Sequence, residues 1–310
     1  MAFFTIIKNY YGEVLMKFVT YNIRFSLGKN QQKDLKRITD TIKGADVIAL
    51  QEVMRGWPPE MTDQPEEIGK LLPDYYWVYG PSFDMDASQK SPDGTVINRR
   101  RQFGTMLLSK QPIISSRLHI FPKLASSSHF NMSTGALEGV IDINSRPIRF
   151  YSLHLGALDG RERLLQLRRL FDIHRDSQIE GGAWSGPSKT GDTDWSAGRP
   201  MPPMPTEAVI MGDFNFQADS PEYELMVGAI DSQQGRVSYN DVFVDTWEAA
   251  GNADKPIVTW IHDPAASGHG STRFDYCFIT PDLTNLVREA WVDMDAQGSD
   301  HQPYWVRMDL

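Results

Sequence analysis

Short polar motifs follow the apolar runs of this chain, at positions where strands are expected to end. Asn22 follows the run FVTY, Glu52 follows VIALQ, His154 closes FYSL, and Asp213 and Asn215 come directly after VIMG. Side chains at strand ends and in the adjoining loops can meet at one rim while the sheets hold them in place. Carboxylates, an imidazole and amides in such positions indicate acid–base chemistry or a site for a hard divalent cation.

Each of these residues also has an ordinary structural explanation. Asn22 is of a type that is common in turns. Glu52 follows a buried run and is costly to bury without a partner, so it either reaches solvent or meets a cation such as Mg²⁺. A single histidine at a strand end, such as His154, is more often structural. Asp213 and Asn215 form either an Asx-type turn or a pair that activates water and holds an oxyanion.

Two further motifs lie near the C-terminus, TRFDY at Thr272–Tyr276 and GSDH at Gly298–His301. An adjacent Asp-His pair is a weak signal alone, but Asp275 is placed to orient the imidazole of His301, as a carboxylate does in a catalytic triad. Ser-His-Asp acyl transfer is the competing interpretation, and the chain has no G-x-S-x-G elbow. It also has no G-x-G-x-x-G, no phosphate-binding Walker loop and no H-E-x-x-H.

The elements that must position these residues are many short strands with a few helices. Apolar periodicity predicts helices over Gln31–Lys43 and Arg161–His174, and the second of these carries Arg163 as a further candidate contact for a substrate phosphate. Runs rich in β-branched and aromatic residues predict strands over Lys17–Ile23, Val47–Gln51, Tyr76–Tyr79, Thr105–Ser109, Leu137–Ile143, Ile148–Leu153, Ala208–Met211, Phe274–Ile279 and Ala290–Met294. The pattern indicates an α/β protein.

Two stretches are predicted to be loops. Gly80–Gln102 contains the only dense basic run, so Arg99 and Arg101 are candidate phosphate contacts, with a solvated loop tip as the alternative. The stretch 180–206 is rich in Gly, Ser and Pro. Its Trp184 and Trp195 either form an apolar lid over a substrate headgroup or pack within the loop itself.

Composition limits the function classes. With 31 Lys+Arg against 40 Asp+Glu, the 310-residue chain has a formal net charge of −9, which excludes a strongly basic nucleic-acid binder. The single Cys277 excludes an intramolecular disulfide. No apolar run approaches a membrane span, and the N-terminus is a poor signal peptide, so we expect a cytoplasmic location. We interpret residues 1–15 as an N-terminal extension and residues 16–310 as a single domain.

Taken in order, TYNIR, LQE, HL, GDFN, RFDY and SDH resemble the motifs of the endonuclease/exonuclease/phosphatase superfamily, which includes pancreatic-type deoxyribonuclease and neutral sphingomyelinases. The resemblance extends from Asn22 to His301. It implies a deoxyribonuclease-like fold, a four-layered sandwich of two mixed β-sheets flanked by helices. It also implies hydrolysis of a phosphoester by in-line attack of water, with Mg²⁺ or Mn²⁺ as cofactor. By the same resemblance, Glu52 binds the metal, Asn22 lies beside it, and Asp300 is a further ligand.

The resemblance also suggests catalytic roles. Asp213 would orient or deprotonate the attacking water, or act near the leaving oxygen, and Asn215 would hold a phosphate oxygen. His301, oriented by Asp275, would contact the scissile phosphate as an acid or a base. His154 would stabilise the charge that develops on the phosphorane or assist the leaving group.

The sequence says less about the substrate. The acidic net charge disfavours the branches that bind duplex nucleic acid. The segment around His154 disfavours the apurinic-endonuclease branch. The incomplete basic motif around Arg273 disfavours the inositol-phosphatase branch. We therefore expect a phosphodiesterase that acts on a non-duplex, small-molecule or lipid-headgroup substrate. A metal-dependent DNA or RNA nuclease is the first alternative, and a catalytically silent binding module is the second. The sequence does not indicate the oligomeric state.

Overall fold

The structure, a computed structural model, describes residues 15–59, 61–187, 196–237, 239–261 and 270–310. Its helices are α1 (Leu35–Ile42), α2 (Gln64–Leu71), α3 (Gly160–Glu180), α4 (Pro221–Val227) and α5 (Thr246–Ala249). Its strands are β1 (Leu15–Asn22), β2 (Val47–Arg55), β3 (Tyr76–Asp86), β4 (Gln89–Lys90), β5 (Val96–Ile97), β6 (Arg100–Ser109), β7 (Ile113–Ile120), β8 (Gly135–Ile143), β9 (Arg146–His154), β10 (Ala208–Asp213), β11 (Ile230–Asp231), β12 (Gly235–Arg236), β13 (Val244–Asp245), β14 (Asp275–Ile279), β15 (Val287–Val292) and β16 (Tyr304–Asp309).

Two six-stranded mixed sheets form the centre of the fold. The first has the order β15-β16-β1-β2-β6-β3 and the second the order β13-β14-β10-β9-β8-β7. Their facing sides pack together, with the rings of Phe18 and Phe150 5.2 Å apart at the interface. Helix α3 covers the outer face of the second sheet, while α1 and α2 cover that of the first. The predicted α/β fold of two mixed sheets flanked by helices is thereby confirmed.

The sheet register brings the polar motifs to one rim. Strands β1 and β2 are parallel and pair Asn22 with Gln51, so Glu52 lies one residue further along the same edge. Strands β9 and β10 are parallel and pair His154 with Asp213. Strand β14 runs antiparallel to β10, so its first residue, Asp275, pairs with Asp213. Carboxyl ends of parallel neighbours lie at the same edge of a sheet, and this geometry explains the convergence.

Buried hydrogen bonds join the two sheets directly beneath this rim. The Nε2 atom of Gln51 donates to Ser152 Oγ at 3.2 Å, and Ser152 Oγ donates to the Leu50 carbonyl at 3.0 Å. Thr20 Oγ1 donates to Gln51 Oε1 at 3.3 Å. These polar groups are fully buried and bonded to one another. The network fixes β2 and β9 relative to each other, and hence Glu52 relative to His154.

Some predicted elements differ from the structure. The Gly80–Gln102 loop prediction is wrong over both ends, because β3 and β6 continue into this stretch and pair as far as Asp86 and Arg100. Arg100 Nε lies 2.7 Å from Asp84 Oδ1 across the two strands, and such charged side chains mask strand periodicity in the sequence. The arm formed by residues 82–102 therefore extends β3 and β6 beyond the rim.

Other differences concern element ends. Strands β7 and β16 were not predicted, and β15 ends at Val292 rather than at Met294. Helix α1 begins only at Leu35, because the side chain of Asp34 caps it by accepting from the Arg37 N–H. Helix α3 continues to Glu180 and ends at Gly181, whose φ of 73° suits a helix terminus. Leu15 already belongs to β1, while the rest of the predicted N-terminal extension lies outside the described residues.

Within the described part of the chain, no helix is both long enough and apolar enough to cross a membrane.

Candidate active site

Glu52, Asn22 and Asp213 form a contiguous polar group across the two sheets. Asn22 Nδ2 donates to Glu52 Oε1 at 3.1 Å and to Asp213 Oδ2 at 2.9 Å. Asn22 and Asp213 are almost completely buried, whereas Glu52 is partly exposed to the cavity above the rim. The amide thus separates two carboxylates that would otherwise repel each other.

The backbone at Glu52 is unusual and helps to aim its side chain. Glu52 has a φ of 60°, a left-handed conformation that is uncommon for a glutamate. The pairing of β2 with β6 shifts register between Leu50 and Val53, which marks a bulge at this position. Bulges are frequent beside active sites, where they redirect a side chain.

Two histidines and the Asp275 carboxylate complete the site around Asp213. His301 Nδ1 is 2.8 Å from Asp275 Oδ2, and His301 Nε2 is 3.7 Å from Asp213 Oδ2. His154 Nε2 lies 3.5 Å from the same Asp213 oxygen. The predicted orientation of His301 by Asp275 is therefore present as a buried hydrogen bond, and Asp213 lies between the two imidazoles.

Burial and charge shift these groups in different directions. Burial raises the pKa of the Asp213 and Asp275 carboxyls, although the neighbouring His301 opposes this. Burial alone lowers the pKa of His301, but Asp275 and Asp213 outweigh it and raise the pKa to about 10. Burial lowers the pKa of His154, with Glu52 opposing and His301 adding to the effect. His301 is accordingly a cationic hydrogen-bond donor at neutral pH, and His154 is a neutral imidazole.

Asn215 forms the Asx-type turn, and its contact with a phosphate oxygen stays a prediction. Its N–H donates to Asp213 Oδ1 at 3.0 Å in an Asx-type turn, and its Nδ2 donates to the Leu155 carbonyl at 3.0 Å. Its φ is 53°, a conformation that asparagine tolerates better than most residues. The turn places Asn215 on the wall of the cavity.

The active-site cavity has a volume of about 480 Å³. Besides the predicted residues, aromatic side chains line it. Its lining includes Arg24, Phe25, Glu52, Phe103, Phe130, His154, Asp213, Asn215, Trp260, Asp300 and His301.

Arg24 and Trp260 were not singled out from the sequence. Arg24 is the last residue of the TYNIR motif, so a signal for it was present. Its Nε lies 3.6 Å from Asp300 Oδ2, and it begins a run of three residues with positive φ. Trp260 carries no recognisable motif and is brought here by backbone bonds to Thr272 and by the bridge to His301.

The residues present fit a hard divalent cation. The partly exposed Glu52 side chain lines the cavity, where its carboxyl accepts from the Asn22 amide. Asp300 lines the same cavity. Asp213, Asp275 and His301 lie together deeper in the site, but there the cationic His301 takes up the carboxylates in place of a metal. Oxygen donors of this kind are those that Mg²⁺ and Mn²⁺ prefer.

Asn22 lies beside Glu52 and contacts it through its side-chain amide. Its Nδ2 faces the two carboxylates, and its Oδ1 already accepts the Arg24 N–H at 3.0 Å. The side chain is therefore placed to hold Glu52 and Asp213 apart, and its part in the metal site stays a prediction.

The predicted phosphate-binding arginines do not meet at the site. Arg99 and Arg101 are exposed on the arm and do not line the active-site cavity. Arg163 lines a neighbouring cavity, but its Nε lies 3.0 Å from Glu222 Oε1 and its Nη1 donates to the Gly156 carbonyl at 3.2 Å. The sequence could not show that Arg163 is already paired.

One of the two predicted lid residues lies away from the site. Trp184 follows the C-terminus of α3, the end at which His174 contacts Arg149, the residue that pairs with Ala208 at the start of β10. Helix α3 ends there with Gln178 donating to the Met204 carbonyl at 2.7 Å. Trp184 is absent from the cavity lining, and Trp195 lies outside the described residues.

Comparison with known proteins agrees with this geometry. The family model described as "Endonuclease/Exonuclease/phosphatase family" matches residues 19–301. The chain belongs to this family. Members of the endonuclease/exonuclease/phosphatase family hydrolyse phosphoesters, and the match spans every motif from Asn22 to His301. A search of curated proteins returned no match.

Solved structures share the fold at low sequence identity. An endonuclease/exonuclease/phosphatase from Beutenbergia cavernae is 19% identical, with a TM-score of 0.62 over 96% of this chain and 72% of that one. A humanized D. rerio TDP2 is 16% identical, with a TM-score of 0.59 over 96% and 99%. The mannosyl-6-phosphatase Bt3783 from Bacteroides thetaiotaomicron is 14% identical, with a TM-score of 0.59 over 95% and 100%.

Proposed function

We propose that this protein is a phosphoester hydrolase that depends on Mg²⁺ or Mn²⁺. The observation that carries the proposal is the meeting of Glu52, Asp213 and the Asp275–His301 pair at one cavity, from strands far apart in the chain. Phosphoryl transfer requires mainly positioning and charge neutralisation. Carboxylates for a cation, a cationic imidazole and an amide supply both.

Glu52 and Asp300 are the residues we assign to the metal, which when bound would neutralise charge on the phosphate and polarise it. Asp213 orients the attacking water or accepts its proton. Its Oδ2 lies close to both imidazoles, between which the phosphate would be held. Its raised pKa brings it nearer to the range of a useful base. Asn22 keeps this carboxylate separated from Glu52.

His301 donates a hydrogen bond to a phosphate oxygen, and Asp275 holds its ring in the required orientation. His154, as a neutral imidazole on the other side of Asp213, stabilises charge that develops on the phosphorane or assists the leaving oxygen. Asn215 contacts a further phosphate oxygen from the cavity wall.

We infer that the substrate is a small-molecule or lipid-headgroup phosphoester, most simply a phosphodiester, rather than duplex nucleic acid. Arg24 is next to Asp300, and Arg99 and Arg101 are not in the cavity, so the described lining offers few cations to a polyanion. A nuclease is the alternative, and the aromatic side chains Phe25 and Phe130 in the cavity are the observation that favours it.

The test is hydrolysis of a panel of phosphoesters with Mg²⁺, with Mn²⁺ and with EDTA. The panel contains bis-p-nitrophenyl phosphate, p-nitrophenyl phosphate, plasmid DNA, single-stranded RNA and sphingomyelin. Glu52→Ala and His301→Ala are each expected to remove most of the activity while the circular dichroism spectrum stays unchanged. Unchanged turnover in either variant would reject the assignment, and metal binding without any turnover would favour a binding module.

A further inference from the structure

A second cavity opens beside the active site and shares a wall with it. This side cavity has a volume of about 370 Å³. Ala157, Leu158, Asn215 and Trp260 line both cavities. Asn215 is bonded to Asp213, so the side cavity begins directly beside the position proposed for the phosphate.

The wall is rigid, because the backbone around Trp260 is bonded on two sides. Trp260 N–H donates to the Thr272 carbonyl at 2.9 Å, and the Thr272 N–H donates back at 3.1 Å. The next residue, Ile261, donates to the Asp300 carbonyl at 2.8 Å. The Trp260 ring lies 5.4 Å from the ring of Phe274 at 37°. A pre-organised aromatic surface of this kind contributes contact area at low entropic cost.

Charge in the two cavities disfavours a second phosphate. Among the described lining residues, Arg24 and Arg163 are the only Lys or Arg side chains, and each has a carboxylate partner, Asp300 and Glu222 respectively. The side cavity also contains Asp219, which is exposed. A chain of phosphates extending from the scissile one would meet carboxylates rather than free cations.

The polar groups of the side cavity match hydroxyl groups instead. Asp219 offers two acceptor oxygens, and Gln217 offers an amide, and both side chains are exposed. Leu158, Trp260 and Phe274 supply the apolar part of the lining. An aromatic wall beside a carboxylate and an amide suits a ring that has apolar C–H faces and hydroxyl edges.

We propose that the side cavity binds an uncharged, hydroxyl-bearing ring, such as a sugar or cyclic polyol, esterified to the scissile phosphate. This inference rests on the proposed phosphoesterase function and specifies its substrate class. Asp219 and Gln217 recognise the hydroxyl groups, and Trp260 packs against the ring face.

The experiment compares two esters that differ only in the ring hydroxyls and ring oxygen. A hexopyranose 6-phosphate and cyclohexylmethyl phosphate have the same ring size and the same methylene link to phosphate, and each is also prepared as its methyl diester. We expect kcat/KM to be about tenfold or more higher for the sugar ester, as hydrogen bonds to a charged group provide. An oligodeoxynucleotide is the third substrate and is expected to be the poorest.

Asp219→Ala is expected to reduce the preference for the sugar ester by about tenfold, because the carboxylate that binds its hydroxyls is lost. Glu224→Ala is the matched control, since Glu224 is an exposed carboxylate on α4 that does not line the side cavity. It removes the same charge and should keep the wild-type preference. The proposal would be overturned if Asp219→Ala preferred the sugar ester to the same extent as wild type. It would also be overturned if the oligodeoxynucleotide were the preferred substrate.

Binding separates this proposal from the proposed function. Calorimetric titration of the two esters into the His301→Ala variant measures recognition without turnover. The sugar ester should bind more tightly than the cyclohexylmethyl ester, and the double variant with Asp219→Ala should bind it more weakly. This result would support ring recognition in the side cavity even if no ester were hydrolysed. Equal binding of both esters would reject the side cavity even if bis-p-nitrophenyl phosphate were hydrolysed with the expected metal dependence.

Discussion

Stability at mildly acidic pH should depend on one partly buried histidine outside the active site. Arg149 Nη2 donates to His174 Nδ1 at 2.9 Å, and the His174 ring packs edge-on against Phe243 at 5.1 Å. Burial and the adjacent Arg149 guanidinium lower the pKa of His174 to about 4 from its usual 6.5, although Asp282 and Glu138 act in the opposite direction. His174 is therefore neutral in the folded protein across most of the mildly acidic range.

The direction of the effect follows from proton binding. Between pH 6.5 and pH 4 the unfolded chain binds a proton at His174 that the folded chain does not, so acidification favours unfolding. The contribution of His174 is fully present above pH 6.5 and declines as the pH falls. Each pKa unit corresponds to about 1.4 kcal/mol, so the loss between pH 7 and pH 4.5 is about 2.5 kcal/mol.

Urea denaturation at these two pH values tests the prediction. We expect His174→Gln to be about 1 kcal/mol less stable than wild type at pH 7, because the ring contact with Phe243 is lost. At pH 4.5 the order should reverse, since the variant has no titrating group at this position. His129→Gln, which replaces an exposed histidine, should follow the wild-type pH dependence. A His174→Gln variant that loses as much stability as wild type between pH 7 and pH 4.5 would refute the reasoning.

Three further predictions concern the site and its support. Glu52→Gln should weaken Mn²⁺ binding by more than about tenfold in calorimetry, whereas Glu66→Gln, on the exposed face of α2, should not. Equal Mn²⁺ affinities of the two variants would remove Glu52 from the metal site. Asp275→Asn should lower kcat by about 10²–10⁴-fold with little change in KM, because His301 loses its orienting carboxylate; a wild-type kcat would contradict this role. Arg273→Met should reduce the free energy of unfolding by about 3–5 kcal/mol. The Arg273 guanidinium lies 2.7 and 2.9 Å from the buried Asp245 oxygens, and its removal leaves that charge unpaired. A loss below about 1 kcal/mol in urea titration would show that Asp245 finds another partner.

Arg273 shows how a motif can mix catalytic and supporting residues. In TRFDY the aspartate contacts His301, while the arginine points to Asp245 and packs 4.0 Å from the centre of the Tyr276 ring. Residues two apart within a strand point to the same face, but β14 begins only at Asp275, so Arg273 lies in the segment before the strand and its guanidinium turns to Asp245 instead. The register of β14 against β10 pairs Asp275 with Asp213 and so places this carboxylate within reach of His301.

The sequence by itself determined the order of the six motifs and hence the family, because each motif is a local pattern of a few residues. Only the tertiary structure decided what each polar side chain contacts. Asn22 lies between Glu52 and Asp213, Arg163 is paired with Glu222, and the arm at 82–102 is a strand pair. These partners are separated by as many as 191 positions along the chain. Their contacts are set by sheet register and by the packing of one sheet on the other, which no local pattern encodes.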